Sequence, residues 1–199
     1  MSRPPSPFPP VGEVGPSGGA EEHWVFAYGS LMWRPGFAFV ERQAATAPGR
    51  HRAFCIFSVH HRGTPQRPGL VLGLAPGGAT RGAAYRVAAP DWEAARAYLM
   101  EREQPTETYV EARIKARLAG GRAIEALAFL SNRRHPQWAG KLSLEAQADL
   151  IAGARGLSGR NIDYLRDLVA HLEEEGIVDR ALERLLAMVE ARERALPPG

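Results

Sequence analysis

Four short stretches of this 199-residue chain combine residue types that could do chemistry. The first is a carboxylate closing a helical pattern. From Asp91 to about Glu103, at about 100° per residue, Trp92, Ala95, Leu99 and Glu103 share one narrow stripe, while Glu101 points the other way. Glu103 is therefore an acid on an apolar face. Either it escapes into solvent or pairs with Arg102 or Arg113, or it is desolvated beside a pocket. In the second case its pKa rises from about 4.3 and it exchanges protons near neutrality. Glu107, the other nearby acid, lies beyond the break at Pro105.

The second stretch is Tyr28-Gly29-Ser30-Leu31. Gly29 lets the backbone approach a ligand closely, and successive N–H groups with the Ser30 hydroxyl could form an anion-binding nest. Walker and Rossmann glycine spacing is missing, so no nucleotide phosphate is implied, and a plain strand-to-turn exit also fits. The third stretch is the basic turn His60-His61-Arg62-Gly63-Thr64-Pro65, followed by Arg67-Pro68-Gly69. It would contact an acidic ligand or stay solvated. Adjacent histidines do not chelate one ion as an i, i+4 helical pair does, and nothing nearby stands at metal-motif spacing, so no metal site is expected. The fourth, Ser158-Gly159-Arg160-Asn161, reads as an N-cap.

These stretches need elements to hold them. Trp24 to Tyr28 is a short aromatic and β-branched run, a buried strand entering the Gly29-Ser30 turn. Ala53–Val59, Leu70–Leu74 and Gly82–Val87 are further strand candidates. Val110, Ala112, Ile114, Ala116 and Leu118 alternate with charged residues, which predicts a strand with one dry and one wet face. Ala119-Gly120-Gly121 turns it into Ala123–Leu130, apolar enough for burial on both faces. Helices are expected from Asp91 to about Glu103, from a Ser143 cap to about Ala154, from Asn161 or Ser158 to Gly176, and from Val178 to about Arg194. The strand candidates are spaced like those of an antiparallel barrel or sheet.

Composition narrows the classes. No apolar run approaches the roughly 18 residues of a membrane span. The 21 Gly and 16 Pro exclude a coiled coil. Residues 1–20 are Pro, Gly and Ser with little to bury, and are expected to form a disordered tail before one domain over 21–196. Prolines interrupt any signal-peptide core there. The lone Cys55 forms no internal disulfide, which fits a reducing cytoplasm. A net charge of +3 arises from 25 Lys plus Arg against 22 Asp plus Glu, so basicity by itself does not point to nucleic acid. Arg50, His51, Arg52, Arg62 and Arg67 lack the aromatic interleaving of a stacking platform.

Taken in order, the stretches resemble the ChaC family of glutathione-specific gamma-glutamylcyclotransferases. Val25-Phe26-Ala27-Tyr28-Gly29-Ser30-Leu31-Met32-Trp33 is similar to the family's first strand and glycine loop. His61-Arg62-Gly63-Thr64-Pro65, Gly82-Ala83-Ala84-Tyr85-Arg86, Arg102-Glu103 followed by Tyr109, and Ser158 to Leu165 match further motifs in the same order. Ala27 stands where the family often has Gly, and His60 where it often has Asp.

The resemblance implies an α+β fold of the gamma-glutamylcyclotransferase-like kind, a small mostly antiparallel β-barrel with flanking helices, in agreement with the strand spacing. It implies cleavage of a γ-glutamyl amide by internal attack, without metal or organic cofactor. Glu103 becomes the expected catalytic acid and base, with Val25, Phe26, Ala27, Tyr28, Gly29, Ser30, Leu31, Tyr109 and Tyr164 expected around the substrate. The partner is then a small molecule, glutathione or another γ-glutamyl compound, and neither nucleic acid nor membrane. Two alternatives stay open: a binding module without turnover, and a cyclotransferase for other γ-glutamyl amino acids or amines.

Overall fold

Apolar alternation, glycine turns and long pairing partners bend this chain into a closed barrel. The structure is a computed structural model that describes residues 22–103 and 107–195. The expected tail and Pro105 lie outside the described residues. Strands β1 (His23–Ala27), β2 (Glu41–Ser58), β3 (Gly69–Val87), β4 (Tyr109–Leu118) and β5 (Ala123–Ser131) close in the order β1-β3-β2-β4-β5. All pairings are antiparallel except β1 with β5, which meet in parallel at Val25 and Leu127.

The three middle strand candidates are parts of two much longer strands. β2 runs for 18 residues and β3 for 19, paired from Glu41–Arg86 to Ser58–Gly69. Pro48, Gly49, Gly77 and Gly78 read locally as punctuation. Two register shifts, between Pro48 and Arg50 and between Phe54 and Ile56, absorb that irregularity, so pairing continues through it. A bulge needs a partner strand, which local sequence does not display.

In β4, Ile114, Ala116 and Leu118 are buried as expected and Arg113, Lys115 and Arg117 are exposed. Val110 departs from the expected dry face and is 40% exposed. At this end the opposite face is covered: Glu111 pairs with Arg96 of the Trp92–Glu103 helix at 3.0 Å, and Tyr109 reaches inward to the Leu72 carbonyl at 2.7 Å. The Ala126–Phe129 segment of β5 is buried on both faces, while Ala123 and Glu125 are exposed.

Helix α1 (Trp92–Glu103) buries Trp92, Ala95 and Leu99, as the stripe required, and a 3₁₀ turn at Ala89–Asp91 leads into it. Helix α2 (Leu144–Ile151) begins with the Ser143 hydroxyl accepting from the Ala146 N–H at 3.2 Å. It stops short of Ala154, near Gly153 at a left-handed φ of 67°. The two-residue strands β6 (Arg155–Gly156) and β7 (Gly159–Arg160) then lead into α3 (Asn161–Glu174), with α4 (Arg180–Ala195) closing the fold. Ile162, Leu165, Val169 and Leu172 of α3 and Leu182, Leu185 and Val189 of α4 are core residues. None of the described helices is long and apolar enough to cross a membrane.

The capping expectation for α3 is corrected. Its N-cap position is Arg160, with no side-chain cap bond. Asn161 is fully buried: its amide donates to the Leu70 carbonyl at 2.7 Å and accepts the Leu70 N–H at 2.6 Å. An amide side chain carries a donor and an acceptor like a peptide unit, so Asn161 pairs with β3 as another strand would. Ser158 instead bonds His61, its Oγ 3.0 Å from Nδ1.

Candidate active site

β1 delivers two aromatic side chains to one place because alternate residues share a face. Phe26 and Tyr28 line a small cleft that opens to solvent, whereas Val25 and Ala27 are fully buried in the core and do not line it. Gly29, Ser30 and Leu31 continue the wall, and Leu72, Glu103, Tyr109, Phe129 and Tyr164 complete it. The fold thus brings together six segments separated by up to 138 positions of sequence: Tyr164 and Phe26 are its outermost members.

The loop after β1 is a 3₁₀ turn, Ser30–Met32, closed by the Met32 N–H on the Gly29 carbonyl at 2.8 Å and the Arg34 N–H on the Ser30 carbonyl at 2.9 Å. Ser30 and Leu31 open this turn, and the opening N–H groups of such a turn precede its own ladder. A Cβ on Gly29 would stand 3.2 Å from the Leu72 side chain, so glycine here lets the loop sit tightly against β3. From the other side, Arg52 donates to the Tyr28 carbonyl at 2.6 Å, and burial lowers its own pKa to about 10.

Glu103 extends the buried stripe of α1 to the cleft, with only 18% of its side chain exposed. Both sequence readings hold in part: the carboxylate is desolvated beside a pocket, and it also pairs with Arg102, Nε to Oε1 at 3.2 Å. Burial raises its pKa above the ordinary carboxylate value, and the charge and hydrogen bond of Arg102 pull the other way. A carboxyl held between these influences can both take and return a proton.

Three phenols surround it. The Tyr28 hydroxyl donates to the Phe129 carbonyl at 2.8 Å and the Tyr109 hydroxyl to the Leu72 carbonyl at 2.7 Å. Burial pushes both well above the usual phenol range, with the Glu103 charge adding to the effect. Tyr164 is pushed up to about 12 by burial, partly offset by a backbone hydrogen bond from Leu72. All three are neutral wherever Glu103 titrates.

The basic turn stays largely solvated, with His60, His61, Thr64, Pro65 and Arg67 exposed, and none of its residues lines the cleft. Its backbone packs against β6, β7 and β3: Leu157 and Ser158 donate to the His60 and His61 carbonyls at 2.8 and 2.9 Å. Arg62 donates to the Arg160 carbonyl at 3.1 Å and lies 5.4 Å from the Tyr164 ring centroid, a cation over the back of a cleft residue. Leu72 and Phe129 are cleft residues that sequence reasoning missed. Both look like ordinary strand residues, and only barrel register puts them here. Among the described residues no group of His, Cys, Asp and Glu is placed to hold a metal ion.

The profile of the family described as ChaC-like protein matches residues 23–192. The chain is 39% identical over 166 residues to the glutathione-specific gamma-glutamylcyclotransferase of Escherichia coli (strain K12), covering 83% of this chain and 72% of that one. It is 33% identical over 196 residues to glutathione-specific gamma-glutamylcyclotransferase 1 of Homo sapiens, covering 96% and 88%. A crystal structure of a gamma-glutamyl cyclotransferase specific to glutathione from yeast superposes with a TM-score of 0.80 at 24% identity, over 89% of this chain and 99% of that one. At that identity the likeness carries the fold alone.

Proposed function

The chain belongs to the ChaC-like protein family, and from that premise we propose that it is a glutathione-specific gamma-glutamylcyclotransferase in which Glu103 moves the proton. The α-amino nitrogen of the γ-glutamyl residue attacks its own γ-carbonyl carbon. A new C–N bond closes a five-membered lactam, and the amide C–N bond to cysteine breaks, its electron pair leaving on the cysteine nitrogen. One proton passes from the attacking to the leaving nitrogen. The products are 5-oxoproline and cysteinylglycine, and the balance needs no water, metal or redox partner.

Glu103 as carboxylate accepts the proton of the attacking amine and then returns it to the leaving amine. Holding the γ-glutamyl chain in its cyclic geometry is a positioning task, for which Phe26, Tyr28, Gly29, Ser30 and Leu31 on one wall and Tyr109 and Tyr164 on another are suited. Backbone N–H groups of the Ser30 turn would grip the α-carboxylate or the developing oxyanion. The observation that carries this reading is that the Glu103 carboxylate and the Tyr28–Leu31 loop border one cleft. A small peptide is its occupant, rather than nucleic acid. The buried, unpaired Cys55 suits a reducing, cytoplasmic setting.

Purified protein incubated with glutathione should release 5-oxoproline and cysteinylglycine in equal amounts, and faster than it acts on γ-glutamyl-alanine. Binding of glutathione without either product would make the chain a binding module. Equal rates on both substrates would remove the glutathione specificity and keep the reaction.

A further inference from the structure

Arg102 precedes the proposed base in sequence, and its side chain reaches both its own helix and a different element. Its Nη2 donates to the Ser30 hydroxyl at 3.0 Å, and its Nη1 to the Arg34 carbonyl at 2.5 Å and the Tyr98 hydroxyl at 3.1 Å. Its Nε lies 3.2 Å from Glu103 Oε1. One planar guanidinium therefore spans the loop after β1 and the last turn of α1, using the fork geometry that distinguishes Arg from Lys. Tyr98, one turn earlier on α1, grips the same loop: a Cβ on Gly36, where φ is +75°, would overlap the Tyr98 hydroxyl at 2.0 Å.

The groups facing Glu103 divide clearly. Tyr28 from the β1 end, Tyr109 from β4 and Tyr164 from α3 are neutral phenols in the range where Glu103 titrates. Arg102 is the cation acting on it among the described residues. We propose that Arg102 is a positioning residue for the cyclotransferase reaction, a brace that fixes the Ser30 loop to the helix end and orients the Glu103 carboxylate that borders the same cleft. This rests on the function proposed above. The brace has two separable properties. Its charge acts on Glu103, and its fork sets the distance between the base and the loop that holds the substrate.

Arg102→Gln removes both properties, and Arg102→Lys keeps a charge and loses the fork. Without the cation Glu103 holds its proton more tightly, so a base that must be ionised is recruited only at higher pH. The acidic limb of the kcat/KM profile in Arg102→Gln should move up by about 1 to 3 pH units, the shift an adjacent opposite charge produces. Arg102→Lys should leave the limb near its wild-type position and raise KM, with kcat/KM falling about 10- to 100-fold from a misplaced loop. Carbon-13 carboxyl NMR of Glu103 in wild type and Arg102→Gln reads the same shift without turnover.

An unmoved limb and an unmoved carboxyl titration in Arg102→Gln would overturn the proposal, even if activity fell at every pH. If Arg102→Gln does not fold, Arg102→Lys decides: an unchanged KM overturns the brace. Absence of 5-oxoproline from wild type would instead defeat the proposed function, and the NMR titration would still decide whether Arg102 controls Glu103.

Discussion

Replacing Glu103 by Gln keeps the size of the side chain and one acceptor oxygen, while replacing the other with an NH2 donor and removing the basic carboxylate. General acid–base catalysis contributes about 10²- to 10⁴-fold, or roughly 3 to 5 kcal/mol of barrier. Because Glu103 both accepts and returns the proton, the loss should fall at the upper end, with KM for glutathione little changed. Stability should move the other way. Burial holds the folded pKa above the unfolded value, so the stabilising contribution belongs to the protonated acid. It is fully present below the unfolded pKa of about 4.3 and is lost as pH rises through the folded value. Ionised Glu103 thus weighs against folding at neutral pH, partly offset by Arg102 at 3.2 Å. Glu103→Gln should therefore melt no lower than wild type at neutral pH, and its melting temperature should fall less between mildly acidic and neutral pH. The assay pairs chromatographic release of 5-oxoproline with thermal melts at both pH values. Near-normal turnover in the folded variant would refute the role of Glu103 as base. Lost turnover accompanied by lost folding would assign the carboxylate to structure.

Three further outcomes test the frame around the cleft. Asn161→Ala leaves the buried Leu70 N–H and carbonyl unpaired, so denaturant titration should show a loss of about 2 to 5 kcal/mol, and turnover should fall as α3 loosens behind Tyr164. Gly63→Ala would place a Cβ 2.1 Å from the Gly69 nitrogen and 2.5 Å from the Ser58 carbonyl, both backbone atoms; a loss of about 3 kcal/mol or more, or no soluble protein, is expected. Cys55 is buried and its thiol is pushed up to about 11 by burial, so a thiol reagent at mildly alkaline pH should label the unfolded chain and spare the native one. Labelling of native protein at the rate of a free thiol would contradict that environment.

Legibility followed the range of the interaction. The α1 stripe was readable because helical periodicity is set within four residues, and it already placed Glu103 beyond Leu99 on the apolar face. The Ser143 cap and the Gly29 turn were readable for the same reason. The joining of Ala53–Val59, Leu70–Leu74 and Gly82–Val87 into two long strands was not, since bulges at Pro48 and Phe54 exist only relative to a partner. Asn161 looked like a cap because Asn favours that position locally, and its bonds to Leu70, 91 positions away, outweighed the preference. Arg62 sits in a turn that the sequence leaves either solvated or in contact with an acidic ligand, and only the fold brings Tyr164, 102 positions later, to 5.4 Å from it.

The sequence by itself marked two candidates for the chemistry, an acid on an apolar stripe and a glycine turn after a buried strand, and the family resemblance added Tyr109 and Tyr164. Their types and local spacing are properties of a few consecutive residues. Tertiary structure alone decided that Phe26 and Tyr28 face the cleft while Val25 and Ala27 face the core, that Leu72 and Phe129 join them, and that Arg102 reaches back to Ser30. Barrel closure fixes those relations, because register and strand face are set by pairing between distant segments, and no local pattern encodes the partner.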